Sequence, residues 1–225
     1  MKEFQGIIDA VAAGNIKKTR DLVRQAISEG INYLSIVNEG LTEGLKVVGG
    51  RFKVGELFLP EMMLSAIAAR AGIEAATENL EVGEYQPKGT IVMGTVKGDL
   101  HDLGKNLVAL FLKARGLKVI DLGVDVHEEE FVSAVRVHKP ELLGLSCLMT
   151  TTMKGMTETM EALVEAGLRD SVKVIVGGCP VNEDFACQIG ANGYGRDAAM
   201  AADLVESLLS KAKLNKPPYP SLQDT

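Results

Sequence analysis

The sequence predicts an α/β protein with two parts, an N-terminal four-helix bundle and a five-stranded parallel sheet of the flavodoxin or Rossmann type. Residues 1 to about 80 show helical apolar periodicity and no convincing strand. From residue 89 onward, short apolar runs alternate with helical segments, as in a parallel, doubly wound sheet with right-handed crossovers. The polar stretch 82–88 contains glycine and proline and predicts a linker between the two parts.

The four bundle helices are predicted from apolar spacing and from the breaks between them. The breaks fall at Gly14-Asn15, at Glu29-Gly30 and across residues 49–59. Because the connections are short for helices of this length, an antiparallel bundle is favoured. The predicted helices span residues 4–13, 16–28, 31–50 and 60–78.

The second part begins with residues 90–96, a continuous apolar run that predicts a buried parallel strand. The predicted strands are 89–96, 117–122, 141–146, 172–176 and 192–194, and the helices between and after them are 103–115, 128–138, 152–167, 181–189 and 197–211. The predicted units are therefore a helical domain at 1–85, an α/β domain at 86–213 and an irregular, proline-containing tail at 214–225.

Composition excludes several classes of protein. With 46% hydrophobic and 24% charged residues, the 225-residue chain resembles an ordinary globular protein with a substantial core. The net charge of −6 and the lack of a basic block argue against a nucleic-acid partner, and no apolar run suggests a membrane span or a signal peptide. Cys147, Cys179 and Cys187 lack zinc-type spacing, and their odd number favours a reducing, cytoplasmic location.

The most informative motif is the stretch 98–104, which follows the first strand and precedes a helix. It places His101 two residues after Asp99, in the loop at the edge where open α/β sheets bind ligands. A neutral imidazole is a good transition-metal ligand, and a nearby carboxylate fixes its tautomer. Taken alone, the pattern also fits a loop histidine that is merely hydrogen-bonded to a neighbouring acid.

Two further motifs follow at defined distances. Ser146-x-Leu148 ends the third predicted strand, with 41 residues (105–145) between Gly104 and Ser146, and Gly177-Gly178 ends the fourth, with 28 residues (149–176) between Leu148 and Gly177. Asp-x-His-x-x-Gly, Ser-x-Leu and Gly-Gly in this order and at these spacings resemble the cobalamin-binding domain of methionine synthase, methylmalonyl-CoA mutase and the corrinoid methyl-carrier proteins. The resemblance covers nearly the whole chain.

The resemblance implies a cobalamin or related corrinoid bound base-off/His-on, with His101 on cobalt in place of the cofactor's own dimethylbenzimidazole. Asp99 would hold the second ring nitrogen of His101. Gly104 would leave room for the nucleotide tail, and Ser146 would offer its hydroxyl to the displaced base. Gly177 and Gly178 would remove side chains along the tail, although a glycine pair can equally be turn chemistry. The other cofactor-contacting residues implied are Gly98, Asp102, Leu148, Thr150 and Gly193.

Two more roles are implied by the resemblance. Thr152 occupies the position of a hydroxyl that completes a His-Asp-hydroxyl relay, and its alternative role is to cap the next helix. The segments 47–52 and 56–63 resemble the helical cap that covers the reactive face of the corrin, with Phe52, Leu59 and Met63 as covering side chains. Apolar residues at helical spacing also fit an ordinary bundle core.

The function implied is that of a corrinoid methyl carrier, a non-autonomous subunit whose cobalt cycles between Co(I) and methyl-Co(III). Its partners would be a substrate-specific methyltransferase, a methylcorrinoid:acceptor methyltransferase using tetrahydrofolate or a thiol coenzyme, and a reductive activase. The methyl donor is not specified by the sequence. The alternatives are a cobalamin-dependent sensor, which would need an output domain, an adenosylcobalamin mutase subunit, and a flavodoxin-like domain that binds no corrin.

Overall fold

A computed structural model describes residues 3–78 and 86–214, the last four by their backbone alone. The first part contains α1 (Gln5–Ala12), α2 (Ile16–Ser28), α3 (Tyr33–Ser35), a π-helical stretch (Ile36–Leu41), α4 (Thr42–Lys53) and α5 (Leu59–Thr77). The second contains β1 (Thr90–Thr95), α6 (Leu103–Ala114), β2 (Lys118–Asp121), α7 (Glu128–His138), β3 (Leu142–Ser146), α8 (Met153–Glu165), β4 (Lys173–Gly177), α9 (Glu183–Gln188), β5 (Gly193–Gly195) and α10 (Ala198–Leu214). The predicted fold class, a helical bundle followed by a five-stranded parallel sheet, is confirmed.

The strand order positions the ligand edge of the sheet. The five strands are all parallel and follow the order β2-β1-β3-β4-β5. The order reverses direction between β1 and β3, and ligands of open α/β sheets bind at the carboxyl ends of the strands at such a switch point. The loops that follow β1 and β3, residues 96–102 and 147–152, therefore lie side by side at this edge.

Helices cover both faces of the sheet, so that the three inner strands β1, β3 and β4 are largely buried, as expected for parallel pairing, while the edge strands β2 and β5 are partly exposed. On one face, α7 and α8 enclose a core that includes Val92, Phe131 and Met156. On the other face, the core under α6 and α10 continues without interruption into the bundle and includes Met62, Ile91 and Phe111. The bundle is thereby fixed against the α/β domain through shared apolar packing. In the part of the chain described, no helix is both long enough and apolar enough to cross a lipid bilayer.

The third bundle helix differs from its prediction. A continuous α-helix over 31–50 is wrong, because a π-helical stretch separates α3 from α4, and α4 runs three residues further, to Lys53. The backbone N–H of Thr42 donates to the Val37 carbonyl in the wider π pattern, and the Thr42 hydroxyl donates to the same carbonyl at 2.8 Å. The hydroxyl thus supports a turn that apolar periodicity alone does not distinguish from α-helix.

Other boundaries shift by a few residues for local reasons. The helix predicted over 181–189 begins at Glu183, because Asn182 caps it by accepting the Phe185 N–H at 2.8 Å. The helix predicted over 152–167 begins at Met153, after a 3₁₀ turn at Thr150–Thr152. Most of the predicted linker (82–88) and almost all of the predicted tail lie outside the described residues, so the proposed domain limits stay predictions.

Candidate functional site

The candidate site is built where β1 ends. Thr95, the last residue of β1, is fully buried, and its hydroxyl donates to the His101 carbonyl at 3.0 Å. The chain turns between these two residues and brings the loop back over the end of its own strand. The sequence analysis did not identify Thr95, although a buried hydroxyl at the end of an apolar strand could have signalled a polar partner in the next loop.

Asp99 is the centre of the hydrogen-bond network at this edge of the sheet. Its side chain is completely buried, yet it accepts hydrogen bonds from His101 Nδ1 at 2.7 Å and the His101 N–H at 3.0 Å. From the neighbouring loop it accepts the Leu148 N–H and the Thr152 hydroxyl, each at 2.7 Å. Burial alone would raise the pKa of Asp99, but the hydrogen bonds from Leu148, Thr152 and His101 outweigh it and hold the pKa well below its usual range. The carboxylate is therefore ionised at neutral pH.

The Asp99 carboxylate determines what His101 can bind. An ionised carboxylate accepts hydrogen bonds and cannot donate them, so Nδ1 of His101 carries the proton that faces it. The other ring nitrogen, Nε2, then carries the free lone pair, and no residue in the described ranges hydrogen-bonds to it. Half of the His101 side chain, 52%, is exposed. This is a half-exposed imidazole with its tautomer fixed and its second nitrogen free of hydrogen-bond partners among the described residues.

Thr152 completes the relay arrangement predicted from the sequence. Its hydroxyl lies 2.7 Å from Asp99 Oδ2 and 2.9 Å from the Met149 carbonyl. The side chain makes no hydrogen bond that caps α8, so the alternative role as a helix cap is wrong. Thr152, Asp99 and His101 form a continuous chain of polar contacts from the buried start of α8 to the surface.

Cys147 lies beside this network but does not offer a second metal ligand. Burial raises the pKa of the Cys147 thiol to about 11, and the negative charge of Asp99 acts in the same direction. A thiol with this pKa is neutral at physiological pH, whereas metal ligation requires the thiolate. His101 is thus the ligand that the site presents.

A cavity of about 390 Å³ opens at the carboxyl ends of the strands, between the sheet and the bundle. Its floor includes Gly144 and Ser146, and its sides include Leu107 and Val108 of α6. Most of its surface is apolar. The cavity is a slot in which a flat, apolar group could lie against the sheet.

The helical cap covers the same cavity, with one difference from prediction. Phe52 and Leu59 line it as predicted, whereas the third lining residue of the cap is Met62 and not Met63. Met62 is fully buried, and Met63, one position further round α5, is half-buried away from the cavity. Whether these residues cover a corrin stays a prediction.

The predicted glycines differ in whether a side chain at their position would fit. A Cβ on Gly104 would meet nothing within 4 Å, so this glycine leaves open space at the site. A Cβ on Gly178, whose φ is +128°, would lie 1.7 Å from the Cys147 carbonyl oxygen, and one on Gly177 would lie 2.9 Å from that of Gly195. The pair is therefore required by the protein's own backbone, whatever lies in the slot, although both residues line it. Gly193 faces Leu204 instead, and Gly195 lines the cavity.

The remaining predicted residues surround the network. Gly98 has a φ of +79° and begins the turn that carries Asp99. Asp102 lies exposed at the start of α6 and accepts a hydrogen bond from the Asn106 side chain at 2.8 Å. Leu148 contributes its N–H to Asp99 and its side chain to the cavity, while Thr150 is exposed in the 3₁₀ turn.

Lys105 is a residue of the site that sequence reasoning missed. Its side chain lines the cavity and is nearly fully buried, and its ammonium group lies 2.6 and 2.7 Å from the two carboxylate oxygens of Asp121. The pair joins the first turn of α6 to the end of β2. A lysine on the inward face of an otherwise apolar helix was the available signal, because such a lysine is rarely buried without a partner.

The donor set can be tested against the implied cofactor. A single imidazole cannot hold a bare zinc or iron ion, because such sites use three or four protein ligands. It suits a metal whose other positions are filled by a macrocycle of its own. One fixed imidazole next to an apolar cavity therefore fits a cobalt corrin, and His101 is the residue that would hold it.

Comparisons with known proteins agree with this geometry. A family model of a B12 binding domain matches residues 89–203, and a second B12 binding domain model matches residues 3–77. Trimethylamine corrinoid protein 2 of Methanosarcina mazei is 42% identical over 191 residues, which cover 84% of this chain and 88% of that protein.

Two solved structures share the architecture of both parts. A cobalamin-binding protein from Desulfitobacterium hafniense matches with a TM-score of 0.81 and 30% identity, covering 91% of this chain and 98% of that one. The methanol:cobalamin methyltransferase complex MtaBC from Methanosarcina barkeri matches with a TM-score of 0.79 and 34% identity, covering 96% and 86%. Fold and site thus define a cobalamin-binding α/β protein with a helical cap. The chain belongs to the family of corrinoid proteins built from these two B12 binding domains, and the resemblance drawn from the sequence motifs is confirmed.

Proposed function

We propose that this protein carries a methyl group between two partner enzymes, a substrate:corrinoid methyltransferase and a methylcorrinoid:acceptor methyltransferase. When bound, the corrinoid supplies the cobalt that holds the methyl group. The observation that carries the proposal is the contact between Asp99 and His101, which fixes the tautomer of His101 and leaves Nε2 without a partner among the described residues, three positions before Gly104 of the cavity lining. Relatives named as methylamine corrinoid proteins, and the likeness to a methanol:cobalamin methyltransferase complex, support it.

In this proposal His101 is the lower axial ligand, which requires the corrinoid to bind base-off/His-on. Asp99 keeps the proton on Nδ1, so that Nε2 is available for ligation, and the Thr152 hydroxyl donates to the same carboxylate. If His101 left the metal, Nε2 would be free to accept a proton while Asp99 continued to hold Nδ1. The three residues thereby couple ligation to the movement of one proton.

The cavity would receive the displaced base, and the helical bundle would cover the opposite face of the corrin. The displaced base would lie in the apolar cavity near the Ser146 hydroxyl, with Gly104 leaving room for the nucleotide tail. Phe52, Leu59 and Met63 would cover the opposite face of the corrin, where the methyl group is carried, and would exclude water from it together with Met62, which lines the cavity. We therefore propose a helical domain at 1–85 that covers the corrin and an α/β domain at 86–213 that binds it.

The partners follow from what the chain would need. Cobalt that becomes oxidised during turnover would require a reductive activase, and donor selectivity would belong to the first methyltransferase. The acceptor would be tetrahydrofolate or a thiol coenzyme. We place the protein in the cytoplasm, where Cys147, Cys179 and Cys187 would remain free thiols as they are in the structure.

The experiment that tests the function uses the reconstituted, reduced holo-protein. It is mixed with a substrate-specific methyltransferase for each donor class, and with isotopically labelled methylamines, methanol, methoxylated aromatics or betaine in turn. We expect label from one donor class to appear on the protein-bound corrinoid and to leave when an acceptor methyltransferase and its acceptor are added. A protein that binds corrin but takes up label from no donor would overturn the carrier function.

A further inference from the structure

We infer that Asp125 is a positioning residue for His101, an inference that rests on the proposed binding of a corrinoid through this histidine. Asp125 lies in the loop between β2 and α7, which packs beside the loop that carries His101. It does not touch His101 itself. Its role is to fix the backbone from which Asp99 and His101 project.

Two hydrogen bonds connect Asp125 to the ligand loop. Its carboxylate Oδ1 accepts the Gly98 N–H at 2.6 Å, and its own N–H donates to the Asp99 carbonyl at 3.0 Å. One residue therefore holds two consecutive residues of the ligand loop, one on each side of the peptide bond that joins them. The direction in which Asp99 points towards His101 depends on this peptide.

The backbone of Asp125 is strained in a way that serves these contacts. Its φ is +53°, and among the described residues only Lys139 shares a positive φ without being glycine. This region is disfavoured for residues with a Cβ, although aspartate tolerates it better than most. At Lys139 the conformation ends α7, whereas at Asp125 it aims both the N–H and the carboxylate at one loop. Local strain kept in place by such contacts is common next to functional groups.

The loop that carries Asp125 is itself anchored to β1. Thr95 donates its N–H to the Gly123 carbonyl and accepts the Val126 N–H at its own carbonyl, each at 3.0 Å. The Thr95 hydroxyl also binds the His101 carbonyl. The loops that carry Asp125 and His101 are therefore both anchored to the end of β1, and the hydrogen bonds of Asp125 fix the backbone positions of Gly98 and Asp99.

Three variants separate the hydrogen bond from the backbone conformation. Asp125→Gly keeps a positive φ accessible and removes the carboxylate, whereas Asp125→Asn keeps both an acceptor oxygen and tolerance of this conformation. Lys139→Gly is the matched control, since it relieves the other strained residue at an exposed position far along the chain from the ligand loop.

The first measurement is the binding of hydroxocobalamin and the histidine-nitrogen splitting in the electron paramagnetic resonance spectrum of the Co(II) form. We expect Asp125→Gly to weaken binding about tenfold, the lower end of the range for supporting residues of metal ligands, and to reduce the histidine-ligated fraction. Asp125→Asn and Lys139→Gly should remain close to the unmodified protein. Equal, full ligation in all four proteins would overturn the inference.

The second measurement needs no corrin and separates this inference from the proposed function. Amide hydrogen exchange of the apoprotein should be faster at Gly98, Asp99 and His101 in Asp125→Gly, and unchanged there in Lys139→Gly. Unchanged exchange in Asp125→Gly would overturn the inference even if corrin binding fell. If the unmodified protein bound no hydroxocobalamin, the proposed function would fail, and the exchange result would still decide whether Asp125 fixes the loop.

Discussion

At the scale of single residues, the buried carboxylate of Asp99 joins two loops of the chain. Its four short hydrogen bonds come from His101 in its own loop and from Leu148 and Thr152 in the loop after β3. Every donor favours the ionised form, and the ionised form fixes the tautomer of His101. The same hydrogen bonds that hold the two loops together therefore also determine which nitrogen of His101 is free to bind a metal.

Replacing Asp99 by asparagine tests that link. An amide offers one acceptor oxygen and turns an NH₂ group towards donors, so it cannot receive all four hydrogen bonds. We expect Asp99→Asn to reduce ligation by His101 by about 10- to 100-fold, the usual effect of losing a ligand's supporting carboxylate, and to weaken corrin binding less. Binding titrations and the Co(II) spectrum measure the two effects, and equal losses would assign Asp99 a purely structural role.

Thr152→Val removes one donor from Asp99 while keeping the shape of the side chain. We expect the pKa of Asp99 to rise and the pH dependence of corrin binding to change, with a loss of about 1.5–3 kcal/mol in unfolding free energy from the lost hydrogen bond to a charged group, while Leu148 still donates to the same oxygen. Thr159→Val is the control, because Thr159 is equally buried but donates only to its own helix, to the Gly155 carbonyl. A pH profile that shifts equally in both variants would contradict the relay.

At the scale of elements, the helical cap shows how far a sequence pattern can locate side chains. The sequence predicted that α5 covers the site, but it placed Met63 there instead of Met62. Apolar residues surround most of α5, which is buried against several neighbours at once, so periodicity does not single out one face. Only the packing of α5 against α6 decides which methionine faces the slot.

That difference predicts unequal effects of two adjacent truncations. Met62→Ala should reduce the free energy of unfolding by about 2–5 kcal/mol, because it enlarges a cavity in the shared core. Met63→Ala should cost clearly less, because Met63 is already half-exposed. Urea unfolding of both apoproteins measures the difference, and a larger loss for Met63→Ala would show that α5 is rotated from the orientation described.

In the loops, the sequence could place some residues at the site but not the hydrogen bonds between them. His101, Asp99 and Ser146 could be placed together because the carboxyl ends of parallel strands meet at one edge of the sheet. Asp125 follows the carboxyl end of β2 at the same edge, but no local pattern in the sequence marks which carboxylate there accepts the Gly98 N–H. The sequence likewise does not show that Lys105 pairs with Asp121, which lies 16 residues away on a different element.

At the scale of the whole molecule, an ion cluster joins the bundle to the α/β domain. Lys53 of α4 lies 3.0 Å from Asp203 of α10, and the fully buried Arg115 lies 2.9 Å from the same carboxylate. Glu206 approaches Arg115 at 3.4 Å. Asp203 is therefore shared between a cation of the bundle and a cation of the sheet domain.

Asp203 makes stability depend on pH with a definite sign. Burial would raise its pKa, but hydrogen bonds from Lys53 and Arg115 outweigh this and lower the pKa below the ordinary value of 3.8. A carboxylate whose pKa is lower in the folded state stabilises the protein above its unfolded pKa, and this contribution is lost as pH falls towards the folded pKa.

We expect Asp203→Asn to cost about 1 kcal/mol of unfolding free energy near neutral pH, because the neutral amide no longer balances the charges of Arg115 and Lys53 and the pair is partly exposed. The difference from the unmodified protein should shrink as the pH is lowered through the acidic range. Denaturant unfolding at a series of pH values measures how the difference in unfolding free energy depends on pH. A difference independent of pH would show that Asp203 is not responsible for the pH dependence of stability.

The central claim is that His101 ligates the cobalt of a corrinoid bound base-off/His-on. The most direct measurement is anaerobic reconstitution with hydroxocobalamin whose base nitrogen is isotopically labelled, followed by electron paramagnetic resonance of the Co(II) form. We predict splitting from one unlabelled axial nitrogen in the unmodified protein and its loss in His101→Ala. The same unlabelled splitting in both proteins, or splitting from the labelled base in the unmodified protein, would contradict the assignment of His101.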